Sequence, residues 1–118
     1  MPVGVSREAW VLLDPLGKRP FQDWYEDLAD VRIRAKIQAR IRILEQGGFG
    51  DAKNLGNGVW EARIRFGAGW RIYFGLEGTK IIVLLLGGSK RKQGTDILKA
   101  KRLWKEYETS KSKERWTN

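Results

Sequence analysis

Hydrophobic and polar positions alternate most regularly in the middle of the chain. From Val59 to Phe66, the side chains of Trp60, Ala62, Ile64 and Phe66 fall on one face of an extended strand and Glu61, Arg63 and Arg65 on the other. The pattern predicts a strand whose apolar side meets a core and whose charged side cannot. After Gly67-Ala68-Gly69 the alternation resumes, with Trp70, Ile72 and Phe74 on one face and Arg71 and Tyr73 opposite. A Glu77-Gly78 turn then leads to Ile81 to Leu86, six apolar residues in a row, a length suited to a strand covered on both faces. Joined as an antiparallel meander, the three strands place Arg63, Arg65, Arg71 and Tyr73 on one face, the makings of a concave cationic surface.

The flanks read as support. Residues 7–13 predict a strand ended by Asp14-Pro15. Pro20 suits the first position of a helix in which Phe21, Trp24, Tyr25 and Leu28 form the apolar stripe and Asp23, Glu26 and Asp27 the polar side. Asp30 is placed to cap a second helix that stops at Gly47-Gly48, with Ile33, Ile37, Ile41 and Leu44 inward. Its other side is basic, carrying Arg32, Arg34, Lys36, Arg40 and Arg42. One reading makes these two helices a hairpin whose opposite charges neutralise each other at the rim; the other aims the basic face at phosphates or an acidic partner.

Phe49 to Gly58 reads as a turn-rich connection, with Lys53 near the same end of the sheet. Gly87 to Gly94 reads as a flexible basic loop containing Lys90, Arg91 and Lys92. Thr95 then caps a helix from Asp96 to about Tyr107, with Ile97, Ala100, Trp104 and Tyr107 facing the core and Leu98 and Leu103 widening that stripe. Met1 to Ser6 is expected as a loose lead-in and 109–118 as a frayed tail, unless Trp116 anchors it or meets a partner.

Composition narrows the chemistry. A chain of 118 residues, 42% hydrophobic, is long enough for one core and short for two, so 1–118 is expected to be a single domain. Lys and Arg total 23 against 14 Asp and Glu, and the net charge of +9 favours polyanionic partners. Cysteine and histidine are both absent. That removes disulfides, thiolate nucleophiles, the usual zinc ligands and the side chain best suited to proton transfer near neutral pH. Neither metal nor cofactor is expected, and any catalysis falls to Arg, Lys, Tyr or carboxylates. With no leader-like N-terminus and no apolar run near the ~20 residues of a membrane span, the expectation is a soluble cytoplasmic protein without membrane partners.

The order of strand, two helices, three strands and helix, with FGAGWRIYF and then LLLGGSKRKQGTDILKAK, resembles the RelE/ParE toxin superfamily, most closely its HigB-like branch of phage-derived addiction-module killer proteins. The resemblance is clearest from Phe21 to Tyr107. It implies an α+β fold: an antiparallel sheet made of the meander plus an N-terminal strand, an N-terminal helical hairpin and a C-terminal helix, in the RelE-like arrangement. It implies the toxin of a type II toxin–antitoxin system, held by a cognate, HigA-like helix-turn-helix antitoxin, that cleaves mRNA on the ribosome. The superfamily also contains gyrase inhibitors that cleave nothing, and a non-toxic basic nucleic-acid-binding module is a third possibility.

Metal-free RNA cleavage by the ribose 2'-hydroxyl needs proton transfers and cations on the developing phosphorane, a task that suits the always-charged arginine fork. By the match, Arg71 takes the family's catalytic arginine position, Lys90 the basic residue over the scissile phosphate, and Arg63 and Arg65 the pair that holds the RNA backbone. Lys53, Arg91 and Lys92 add RNA-binding charge, and Lys53 could also transfer a proton if neighbouring cations depress its pKa. Tyr73 is either core-edge packing or a platform on which a base stacks. Asp96 stands where some nuclease members carry histidine or tyrosine, and is either a favourable first-turn acid or a general base.

Overall fold

In the computed structural model, which describes residues 5–118, the chain forms β1 (Glu8–Leu12), α1 (Pro20–Glu26), α2 (Val31–Glu45), β2 (Ala52–Gly56), β3 (Val59–Ile64), β4 (Trp70–Glu77), β5 (Ile81–Ser89), α3 (Gln93–Ser110) and β6 (Lys113–Arg115). The first four positions of the expected lead-in lie outside the described residues. Local chemistry sets several of these bounds. Pro20 opens α1, where its missing N–H costs nothing. Asp30 caps α2 by accepting the Arg32 backbone N–H at 2.9 Å, and Gly47, with φ at 96°, ends that helix in the left-handed region. No helix among the described residues is long and apolar enough to cross a membrane.

The six strands form one mixed sheet in the order β2-β3-β4-β5-β1-β6. The meander is antiparallel as the alternation predicts, but β1 runs parallel to β5, with Glu8 opposite Ile81 and Val11 opposite Leu84. The expected all-antiparallel sheet is therefore corrected to an α+β fold with a mixed sheet. The reason is connectivity: only a hairpin forces antiparallel pairing, and two helices and three strands separate β1 from β5. Helices cover both faces. α1 and α2 bury Phe21, Tyr25, Ile37, Ile41 and Leu44 against Ile72, Phe74, Ile82 and Leu84. On the other face α3 buries Ala100, Leu103, Trp104 and Tyr107 against Val59, Tyr73, Val83 and Leu85.

That second layer overturns the reading of the charged face as one that cannot be core, since α3 lies across it and Glu61 is fully buried. Four further expectations change. The turn-rich connection contains an edge strand, β2, paired to β3 with Lys53 opposite Glu61. The basic loop is regular structure: β5 runs on to Ser89, and Lys90–Lys92 form one 3₁₀ turn that feeds α3. α3 thus starts at Gln93, before Thr95, and Leu98 is 72% exposed instead of widening the buried stripe. The tail is not frayed, because β6 pairs with β1 and Trp116 packs edge-on against Phe21 and Tyr25.

The charged rim also differs from the expected helical hairpin. The α1 acids Asp23 and Glu26 pair with Arg19 just before their own helix. Among the described residues no α2 cation pairs with them. Arg34 lies over the Tyr25 ring at 4.9 Å, and Arg32 and Lys36 lie over Phe66 at 5.5 and 4.7 Å.

Candidate functional site

The turn between β3 and β4 builds the site. β3 ends at Ile64, one residue before Arg65, and residues 65–69 fold back through bonds from Phe66 N–H to the Ile64 carbonyl and from Gly69 N–H to the Phe66 carbonyl, both 3.0 Å. The Gly69 carbonyl then accepts the Lys90 backbone N–H at 2.7 Å, which ties the start of the 3₁₀ turn to this loop. Gly69 has a φ of 78°, and a Cβ there would lie 3.3 Å from Arg71 Nη1 and 3.5 Å from Lys90 Cβ. The glycine lets Arg71 and Lys90 close around one point.

The result is a cleft of about 540 Å³ whose wall includes Arg63, Arg65, Phe66, Arg71, Lys90 and Gln93. Arg63 and Arg71 are direct partners in the β3–β4 register, so two like charges face each other across adjacent strands. Beneath them lies the Glu61 carboxylate. It accepts from Arg63 Nε at 3.0 Å and from Gln93 Nε2 at 2.9 Å, and Arg71 Nε stands 3.8 Å away. Arg71 is itself only 8% exposed. Its side chain donates from Nη1 to the Gly69 carbonyl at 3.4 Å, while Nε, which faces Glu61, is buried without a hydrogen-bond partner among the described residues. Lys90 is exposed and has no carboxylate within ion-pair distance among the described residues. Arg65 is open to solvent and pairs with Asp51 at 3.0 Å.

Of the residues singled out in the sequence, the structure brings Arg63, Arg65, Arg71 and Lys90 to one cleft. It does not bring the others. Tyr73 is fully buried under α3, so its ring offers no surface to a base, and burial together with the Glu61 charge pushes its phenol well above the usual range. Asp96 packs behind β5, where a Cβ at Gly88 would run into its Oδ2, while Gly87 makes the matching room for Trp24 on the opposite face. Burial raises the Asp96 carboxyl, against the pull of Lys92 and Lys99, and its Oδ2 has no hydrogen-bond partner among the described residues. Lys53 is exposed one strand out from Glu61, and Arg91 and Lys92 are exposed beyond the cleft wall.

Glu61, Gln93 and Phe66 belong to the site and were not singled out. For Glu61 the signal was present in the alternation, because a carboxylate two residues before Arg63 shares its face and must meet whatever covers it. Chemically, a wall of three arginine forks and one ammonium around an open cleft suits a phosphodiester, with the planar forks taking oxygens in pairs.

Residues 23–105 match the family described as phage derived protein Gp49-like. The chain is also similar to an uncharacterized protein of Haemophilus influenzae, 42% identical over 86 residues that span 73% of this chain and 87% of that one. The matched stretch contains every strand of the meander and every cleft residue named above.

Proposed function

Because the chain belongs to the Gp49-like family of phage-derived proteins, we propose that it is the toxin of a type II toxin–antitoxin pair, of RelE/ParE, HigB-like type, and that it cleaves mRNA on the ribosome. The observation that carries this reading is Arg71: a nearly buried guanidinium set in the wall of a cationic cleft beside Arg63 and Lys90. An always-charged planar fork held in such a wall can take phosphate oxygens in pairs.

The chemistry follows from the cleft. Arg63 and Arg65 hold the backbone of the RNA. A ribose 2'-hydroxyl attacks the adjacent phosphorus and gives up its proton to water, and Arg71 stabilises the charge that grows on the non-bridging oxygens. The bond to the 5'-oxygen breaks, leaving a 2',3'-cyclic phosphate on one product and a 5'-hydroxyl on the other. Lys90, the ammonium in the wall, is placed to protonate the departing oxygen. The partners of this reading are the ribosome with its mRNA and a HigA-like helix-turn-helix antitoxin, and its setting is the cytoplasm.

Induced expression of the wild type and of Arg71→Ala, read by primer extension on cellular transcripts, tests it. Loss of one preorganised cation is expected to slow cleavage by roughly 10²- to 10³-fold. Growth arrest with unbroken transcripts would sink the nuclease and favour a second reading, a non-catalytic inhibitor of gyrase that docks through α3. One observation favours that alternative: Leu98 stands exposed on α3 near the cationic Lys101, Arg102 and Lys105. It predicts supercoiling defects while mRNA stays intact. The tail gives it less support, since Trp116 is already engaged within the fold.

A further inference from the structure

We propose that Glu61 is a positioning residue that aims the arginine pair into the cleft, and that the cleft's grip on a phosphodiester depends on this buried carboxylate. The inference rests on reading the cleft as a phosphodiester site. It does not require that the bound strand be cut.

Glu61 has no exposure at all, so it can neither touch substrate nor serve as a base. A buried carboxylate is tolerated only when paired and hydrogen-bonded, and here each oxygen has its own set of neighbours. Oε1 takes Arg63 Nε at 3.0 Å; Oε2 takes Gln93 Nε2 at 2.9 Å and faces Arg71 Nε at 3.8 Å. Both arginines therefore approach it with Nε, the inner nitrogen of the guanidinium. Both side chains line the cleft, and Arg71 Nη1 donates to the Gly69 carbonyl at 3.4 Å.

The carboxylate also answers a problem set by the register. Arg63 and Arg71 are direct cross-strand partners, and two like charges so placed repel one another. One shared counter-charge, in reach of both, offsets that repulsion. Gln93, the first residue of α3, locks the far oxygen of that carboxylate, so the helix that buries Glu61 also fixes its orientation. Removing the charge frees two long side chains to splay, and a ligand must then order them at its own expense.

The test is a double-mutant cycle read by binding. The probe is a short single-stranded RNA that is 2'-O-methylated throughout, which no 2'-hydroxyl can cleave. Glu61→Gln is made in the wild-type chain and in an Arg63→Gln/Arg71→Gln background that keeps a side-chain donor at each position. Thermal unfolding is followed for all four proteins. Should Glu61→Gln not fold, Glu61→Asp completes the same cycle, since it keeps the charge but withdraws it from the Nε atoms.

The expected result is a loss of affinity of about 10- to 100-fold where the arginines are present. Where they are absent the loss should be under about threefold, within the scatter of independent sites. Equal losses in both backgrounds would make Glu61 a stability residue only, and tighter binding by Glu61→Gln would make it a mere diluent of positive charge; either overturns the proposal. A wild-type chain that fails to bind the probe overturns it as well. Binding that follows the expected cycle, with transcripts left intact in cells, would sink only the nuclease.

Discussion

Asp96 sits in the first turn of α3 with its carboxylate pressed against the backbone of β5 at Gly88, where burial outweighs the pull of Lys92 and Lys99 toward the charged form. Burial raises its pKa in the folded state. For a group raised on folding, the stabilising form is the protonated one, present below the unfolded value and lost as pH rises through the folded value. Ionised Asp96 is thus a liability at neutral pH, partly offset by the helix N-terminus. Asp96→Asn should be at least as stable as the wild type at pH 7 by urea denaturation, and that advantage should shrink on acidification toward pH ~4. The same variant should cleave RNA within about tenfold of the wild type, because its side chain stands behind the strand and not in the cleft. A general base at this position would instead cost roughly 10²- to 10⁴-fold.

At the scale of elements, β6 and its Trp116 act as a clasp on the open edge of β1. Trp116 N–H bonds to the Ala9 carbonyl at 3.1 Å, its ring lies 4.7 Å from that of Tyr25, and Gln22 donates to the Thr117 carbonyl at 2.7 Å. Trp116→Ala should therefore destabilise the fold by about 3 kcal/mol, toward the lower end for large-to-small substitutions because the ring is only half-buried. A frayed tail would give no measurable change in chemical denaturation. This clasp was hard to read in the sequence, since KERW has one apolar residue and its partner strand lies a hundred residues away. β2 was hidden for a similar reason: AKNLG has the Asn and Gly of a turn, and only an existing β3 makes it an edge strand. The meander was legible because its alternation is local. The direction of β1 was not, because no short loop constrains it.

Taken whole, the molecule places helices on both faces of the sheet and leaves the end at residues 65–69 and 90 open. Arg63, Arg65 and Arg71 could be grouped from sequence because the strand period puts them on one face, while Lys90 joined them only through the family resemblance. What covers their face could not, and so Glu61 read as solvent-facing when it is the buried centre of the site. The net charge of +9 biased the reading toward polyanions without saying where they bind; the pairing of Asp23, Glu26, Asp51 and Glu61 with local arginines shows how much of that charge is already answered within the fold. The central claim is that the cleft around Arg71 promotes attack by a ribose 2'-hydroxyl, and that attack leaves a chemical signature at the broken ends. Transcripts from cells expressing the wild-type protein should accumulate new 5'-hydroxyl ends, captured by a ligase that joins only such ends, and these should fall to background with Arg71→Ala. New ends bearing 5'-phosphate, or 5'-hydroxyl ends that persist in the Arg71→Ala strain, would contradict it.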